Sequence, residues 1–212
     1  VAVDCPESQE LAERAARVVL VEYAAPPHVV TAVAALQPDA PRVRPKGNRS
    51  KNSPRVTQRG NVDAALGAAH VVVRREYRTP VVLHTAMEPH GAVAEWTGDQ
   101  VTVWESTQGI FNTRADLAEA FGLRHTQVRV IKDYMGGGFG AKNGASQCAY
   151  IAVALSRVTG APVRCVWDRE GEQVDSGNRS ATTQRVTLAA DRDGRLTAIE
   201  LDATIAMGVG GW

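Results

Sequence analysis

Apolar and polar residues change rhythm several times along this chain, and each change predicts an element. Leu11, Ala15 and Val18 recur at helical spacing and predict a helix to about residue 19, opened by Asp4-Cys-Pro-Glu7, which has the form of a capping box. Residues 1–3 read as the end of a strand, and residues 19–23, Val-Leu-Val-Glu-Tyr, as another. Pro26, Pro27, Pro38, Pro41 and Pro45 then interrupt regular structure. Residues 42–59, rich in Arg, Lys, Asn, Ser and Pro, read as an exposed linker.

Beyond that segment the rhythm becomes mainly that of strands. Residues 71–77 form one, and residues 92–96 and 101–105 flank Thr97-Gly-Asp99 as a hairpin. A helix capped by Thr113 runs through Leu117 and Phe121 to a stop at Gly122. Residues 128–131 read as a buried strand. In residues 146–159, Cys148, Ile151, Leu155 and Val158 fall at helical spacing, and residues 163–167 form a further strand. Residues 184–189 and 196–205 make a ribbon around the turn Asp191-Arg-Asp-Gly194. Ile199, Leu201, Ala203 and Ile205 alternate with polar neighbours, so one face of that ribbon is expected to be buried. The predicted fold class is α+β.

Composition narrows the partners. The 212 residues are 44% apolar and 22% charged, with no run of the ~18 apolar residues that a membrane helix needs. A net charge of +1 with scattered arginines gives no general attraction to nucleic acid or acidic lipid. Cys5, Cys148 and Cys165 lie far apart, outside any C-x-x-C, and read as reduced thiols of a cytoplasmic protein, with no iron–sulfur or zinc site in this chain. Both ends look cut from a longer polypeptide: the chain starts Val1-Ala-Val and stops at Trp212 directly after a strand-like run.

The densest chemistry lies in Met135-Gly-Gly-Gly-Phe-Gly-Ala-Lys-Asn-Gly144, between the strand at 128–131 and the helix at 146–159. Its glycines let backbone N–H groups approach a ligand, and the following helix N-terminus favours an anion. Gly136-x-Gly138-x-x-Ala141 also fits a relaxed dinucleotide fingerprint, with Asp168 placed to meet a ribose, so an NAD(P)- or FAD-binding Rossmann-like domain is an open alternative. A phosphate loop fits worse, because Asn143 follows Lys142 where Ser or Thr belongs. His84, Glu88 and His90 share strand parity and form a possible metal set, set against a hydrogen-bonded structural cluster. Asp191-x-Asp193-Gly194 lacks the remaining ligands of a calcium loop, and Ser106 lacks a nucleophile-elbow context. Gln108 follows one strand and precedes a helix, so its amide is a candidate fixed donor at the edge of a site.

Three ordered motifs then carry a resemblance: His84-Thr-Ala-Met-Glu-Pro-His-Gly-Ala-Val-Ala-Glu-Trp96, Glu105-Ser-Thr-Gln108 before a helix ending Phe121-Gly-Leu123, and Val128-Arg-Val-Ile-Lys-Asp-Tyr-Met-Gly-Gly-Gly-Phe-Gly-Ala-Lys142. They resemble the molybdopterin-binding large subunit of the xanthine dehydrogenase and aldehyde oxidase (molybdenum hydroxylase) family. The resemblance implies the tail of an α/β hammerhead domain in residues 1–45, a linker in 46–60 and part of the first molybdopterin-binding domain, mixed or antiparallel strands with packed helices, in 61–212. It places Gln108 near an oxygen ligand of molybdenum, Phe139 beside metal and substrate, and Gly137, Gly138 and Gly140 around the cofactor. No residue of this chain ligates the metal directly.

The resemblance also implies a molybdenum–molybdopterin cofactor, in its plain or cytosine dinucleotide form, with electrons leaving through [2Fe-2S] centres to FAD on partner domains or subunits. The substrate would be a small aldehyde or N-heterocycle hydroxylated at an electron-poor carbon. Asn143, next to substrate, stands where purine-oxidising members carry glutamate. The family's general-base glutamate lies in a C-terminal molybdopterin domain with no match here. The isolated chain is therefore expected to bind cofactor poorly and to turn over nothing, and a non-catalytic scaffold or assembly module remains a further alternative.

Overall fold

Residues 8–50 and 53–208 are described in the computed structural model of the chain. In chain order the helices and strands are α1 (Gln9–Val18), α2 (Ala32–Ala35), α3 (Val62–Gly67), β1 (Val71–Thr79), β2 (Gly91–Thr97), β3 (Gln100–Glu105), α4 (Ile110–Phe121), β4 (Val128–Ile131), α5 (Gln147–Thr159), β5 (Val163–Val166), α6 (Arg169–Asp175), β6 (Thr182–Ala190) and β7 (Leu196–Ile205). Residues 8–22 with 83–178 form one compact unit, and residues 23–82 with 179–208 form another.

The first unit is built on a four-stranded sheet in the order β4-β3-β2-β5. Its core depends on small residues. Cys148, Ala149, Ala152 and Val153 of α5 are fully buried against Ala92, Ala94, Val101 and Val103 of the sheet, and the alanines let the helix backbone come close. Leu117 and Ala118 of α4 complete this core. Gly122 and Gly160 end α4 and α5 in the left-handed region, at φ 64° and 67°, where glycine carries no Cβ penalty.

Strand direction positions everything that follows. β2 runs antiparallel to β3 and to β5, whereas β3 and β4 run parallel. The carboxyl ends of β3, β4 and β5 and the amino end of β2 therefore share one edge of the sheet, where Ala92 pairs with Glu105, Trp104 with Ile131 and Gly91 with Val166. Four segments emerge there: residues 84–90, 106–109, 132–146 and 167–172. This topology removes the dinucleotide alternative. The strand after the glycine loop and α5 is separated from β4 by β3 and the antiparallel β2, so the strands before and after the loop are not the neighbouring pair of a βαβ unit.

The second unit holds the three-stranded antiparallel sheet β1-β6-β7. The predicted turn at its hairpin is an Asx turn, in which the Asp191 carboxylate accepts the N–H groups of Asp193 and Arg195, both at 2.9 Å. Thr187, Ala189 and Ala198 are buried on one face. The ribbon's aliphatic face is the other one, and it stays exposed: Ile199, Leu201 and Ile205 keep 58%, 59% and 55% of their surface. The expectation that Ile199, Leu201, Ala203 and Ile205 are buried fails because α3 meets β7, whose buried position is Ala198.

Three smaller expectations also change. The predicted cap at Asp4 and the strand at 1–3 lie outside the described residues; α1 is capped by Ser8, whose hydroxyl accepts the Leu11 N–H at 3.3 Å. Residues 19–23 form no strand, because no neighbouring strand among the described residues completes their backbone hydrogen bonds. Helix α4 starts three residues before the predicted cap, with Gly109 at the N-cap position. Thr113 lies inside the first turn, buried, with its hydroxyl 3.0 Å from that of Thr107.

Candidate functional site

Gln108 and the glycine loop meet because each leaves the carboxyl end of one of two adjacent parallel strands, β3 and β4. The Gln108 N–H donates to the Lys142 carbonyl at 2.6 Å. The side chain then folds back, and its Oε1 accepts the N–H groups of Gly140 at 2.8 Å and Lys142 at 3.3 Å. With its oxygen doubly engaged, the amide presents Nε2 as an outward donor. No acceptor for Nε2 lies among the described residues, and Gln108 is exposed. Gly138 leaves the space for this arrangement, since a Cβ there would stand 2.5 Å from Gln108 Oε1.

The loop itself leaves three consecutive N–H groups without a protein partner among the described residues. Neither a side chain nor a carbonyl among the described residues accepts the N–H groups of Gly137, Gly138 and Phe139, whereas those of Gly136, Gly140, Ala141 and Lys142 are engaged. Phe139 is 64% exposed with a left-handed backbone at φ 53°, a conformation costly for an aromatic residue. Its ring lies over Gly137, where an added Cβ would stand 2.9 Å from the ring edge. Asn143 folds its amide back to the Gly140 carbonyl at 3.1 Å. Gln108, Phe139, Gly140 and Asn143 are thus exposed together, with Gly137 half-buried and Gly138 buried against the Gln108 side chain.

Beneath this surface is a buried polar layer that sequence reasoning missed in part. Lys142, the largest fully buried side chain, donates to the Glu88 carbonyl and Ser106 Oγ, both at 2.7 Å, and lies 3.3 Å from Glu88 Oε2. Glu88 Oε2 also accepts the Ser106 hydroxyl at 2.5 Å and the Gly136 N–H at 2.9 Å. Burial pushes the Glu88 carboxyl up, but the Ser106 hydroxyl, the Gly136 N–H and Lys142 outweigh it and hold the group below the ordinary glutamate range. Arg169 clamps the carbonyls of Ala86 and Met87 at 2.8 and 2.7 Å.

His90 and Glu172 form the deepest pair. Glu172 Oε2 accepts the His90 N–H at 2.7 Å and lies 2.9 Å from Nδ1, while Nε2 lies 3.1 Å from the Ala141 carbonyl. Both ring nitrogens face oxygen atoms, one of the Glu172 carboxylate and one of the Ala141 backbone. Burial raises the Glu172 carboxyl, and the two His90 hydrogen bonds outweigh that and lower it. The metal set of His84, Glu88 and His90 does not assemble: Glu88 and His90 spend their ligand atoms on protein partners, and no metal-holding group occurs among the described residues. Asp168, the candidate ribose contact, caps α6 by accepting the Gly171 N–H at 2.7 Å.

Residues 45–211 match the family described as molybdopterin cofactor-binding domain. The chain belongs to that family. Among relatives of this molybdopterin cofactor-binding domain, the aldehyde oxidoreductase molybdenum-binding subunit of Escherichia coli strain K12 is 37% identical over 140 residues, covering 66% of this chain and 19% of its own. The xanthine dehydrogenase molybdenum-binding subunit of Escherichia coli O157:H7 is 34% identical over 204 residues, covering 95% of this chain and 27% of its own. The crystal structure of quinoline 2-oxidoreductase from Pseudomonas putida 86 superposes with a TM-score of 0.80 at 28% identity, covering 92% of this chain and 25% of its own. The chain therefore spans roughly a fifth to a quarter of the length of these relatives.

The residues present fit a molybdopterin-type group. An oxygen-rich, anionic cofactor needs donors, and the outward Gln108 Nε2 and the N–H groups of Gly137, Gly138 and Phe139, which no protein acceptor among the described residues engages, could supply them. A cradle without side-chain bulk at Gly138 and an exposed aromatic ring at Phe139 provide access. No helix among the described residues is long and apolar enough to cross a membrane.

Proposed function

We propose that this chain forms one wall of the active site of a molybdenum hydroxylase acting on aldehydes or N-heterocycles at an electron-poor carbon. The observation that carries the reading is the orientation of Gln108: its oxygen is locked by the Gly140 and Lys142 N–H groups, so its amide nitrogen can only donate outward. The relatives' names support the broad substrate class, since one is an aldehyde oxidoreductase and the others, a quinoline 2-oxidoreductase and a xanthine dehydrogenase, are named for N-heterocycles.

When bound, the molybdenum centre supplies the two-electron oxidation and delivers oxygen derived from water. The chain's own part is orientation and electrostatics. Gln108 donates from Nε2 to an oxygen of the cofactor, and the backbone around Gly137, Gly138 and Gly140 borders it. Phe139 packs beside cofactor and substrate and excludes water from that flank. Asn143, neutral where a carboxylate would favour purines, suits an apolar aldehyde or heterocycle. The proton-abstracting base comes from another part of the large subunit.

In this reading residues 1–45 are the tail of an α/β hammerhead domain, 46–60 the linker and 61–212 part of the first molybdopterin-binding domain. The enzyme is cytoplasmic, takes the plain or cytosine dinucleotide form of the cofactor, and passes electrons through [2Fe-2S] centres to FAD on partner domains or subunits. The 212 residues alone turn over nothing. The test is to purify the complete enzyme, assay molybdenum and released pterin, and measure turnover of benzaldehyde, quinoline and xanthine with a dye acceptor in isotopically labelled water. Stoichiometric molybdenum, labelled product from an aldehyde or heterocycle, and weak xanthine turnover are expected. Absence of molybdenum and pterin overturns the reading.

A further inference from the structure

We propose that Lys142 is the positioning residue of this site, setting the direction of the Gln108 donor from beneath. The proposal rests on the function given above. Its observation is separate: a lysine side chain with 0% exposure, held entirely by protein oxygens.

Burying an ammonium group is costly, and an apolar side chain of similar volume often serves stability as well or better. This one is retained with a full set of acceptors. Its three N–H bonds meet the Glu88 carbonyl, Ser106 Oγ, and a third position shared by Glu88 Oε2 at 3.3 Å and the Pro89 carbonyl at 3.4 Å. Those contacts join three separate segments. Ser106 lies two residues before Gln108. Glu88 holds the Gly136 N–H at the start of the glycine loop. Lys142's own backbone takes Gln108 at both ends, accepting its N–H and donating to its Oε1.

One residue therefore fixes the strand end that carries Gln108, the beginning of the glycine loop, and the amide of Gln108 itself. Remove the ammonium group and the strand end and loop lose their common anchor, although neither contains a broken covalent or helical element. The Gln108 amide then has freedom to rotate, and the donor no longer points in one direction. Lys142 touches neither substrate nor cofactor in this account; it acts through Gln108.

The test uses the cofactor-loaded holoenzyme with Lys142→Met, which keeps length and removes charge and donors. Three readouts are taken: kcat and KM with benzaldehyde, hydrogen–deuterium exchange of the amides of residues 140 and 142, and the same substitution on a Gln108→Ala background. We expect kcat to fall on the order of 100-fold with KM changed less than about threefold. Exchange at residues 140 and 142 should rise, since both amides bond Gln108 Oε1. On the Gln108→Ala background Lys142→Met should add little, because the two act as one unit.

Unchanged exchange, unchanged kcat, or full additivity with Gln108→Ala overturns the proposal. Should Lys142→Met not accumulate folded, Lys142→Met with Glu88→Gln removes charge and counter-charge together, and the same three outcomes decide. Exchange reads the anchoring without any turnover, so an enzyme that proves to lack molybdopterin defeats the functional reading while exchange still judges Lys142.

Discussion

The backbone of Gly138 lies so close to Gln108 that a methyl group on it would stand 2.5 Å from the Gln108 side-chain oxygen. Gly138→Ala must therefore push that amide away from the Gly140 N–H. Gly138 is buried, but the atoms such a methyl meets belong to the exposed Gln108 side chain, which can swing aside, so folding stability should change by less than about 1 kcal/mol. Turnover should fall on the order of 100-fold from misplacement of the donor. Steady-state kinetics beside thermal unfolding of the holoenzyme checks both halves.

Phe139 offers a contrasting case. Its φ of 53° is strained for an aromatic residue and its ring is exposed, so Phe139→Gly relieves strain while losing little buried surface. The variant should be as stable as the parent or more so, by up to about 1 kcal/mol. Its turnover should nonetheless drop, with the larger effect in KM if the ring contacts substrate. A stability loss above that range in urea unfolding would show that the ring is structural.

Glu172 sets an acid limit. Its folded carboxyl is lowered by the His90 side chain and N–H against the raising effect of burial. A folded value below the unfolded one contributes stability in full above the unfolded value, and that contribution is lost as pH falls through the folded value. Thermal stability should decline as pH falls from about 5 toward 3, and Glu172→Gln should flatten that decline while lowering stability at neutral pH. Melting temperatures of both proteins across that range check the sign.

Thr107 and Thr113, each with no exposed surface, bond hydroxyl to hydroxyl at 3.0 Å beneath the Gln108 turn. Thr113→Val removes one hydrogen bond while the Thr107 hydroxyl keeps the Lys142 carbonyl and the Gly109 N–H, and should cost about 0.5–1.5 kcal/mol. Thr113→Ser should recover most of it. Chemical denaturation of the three proteins tests the order.

Much of the first unit is visible in residue pattern alone. The β2–β3 hairpin, α5 and β5 fall where the pattern puts them. Yet α5 buries Cys148, Ala149, Ala152, Val153 and Ser156 and leaves Val158 of the predicted Cys148-Ile151-Leu155-Val158 face exposed, because close approach to the sheet selects its small residues. Gln108 and the glycine loop were readable because Gly, Gln and Phe are unusual choices between a strand and a helix. The Gly109 start of α4 was not, since that cap uses no side-chain hydrogen bond, while Thr113 carries the familiar residue type. Lys142, Ser106 and Glu172 were hidden for a different reason. A charged or hydroxyl residue in a loop or, like Glu172, in a short helix has no pattern that marks it as buried, and only tertiary structure, which brings residues 88, 106 and 142 together, reveals that Lys142 is buried.

The sheet β1-β6-β7 turns Val71, Val73, Leu188, Ile199, Leu201 and Ile205 outward on one face, each at least 39% exposed. Such a broad aliphatic surface behaves in water as an adhesive. For a preparation of these 212 residues alone, that surface should favour self-association as concentration rises. Lysine or glutamate in place of Ile199 and Leu201 is the practical route to a soluble sample.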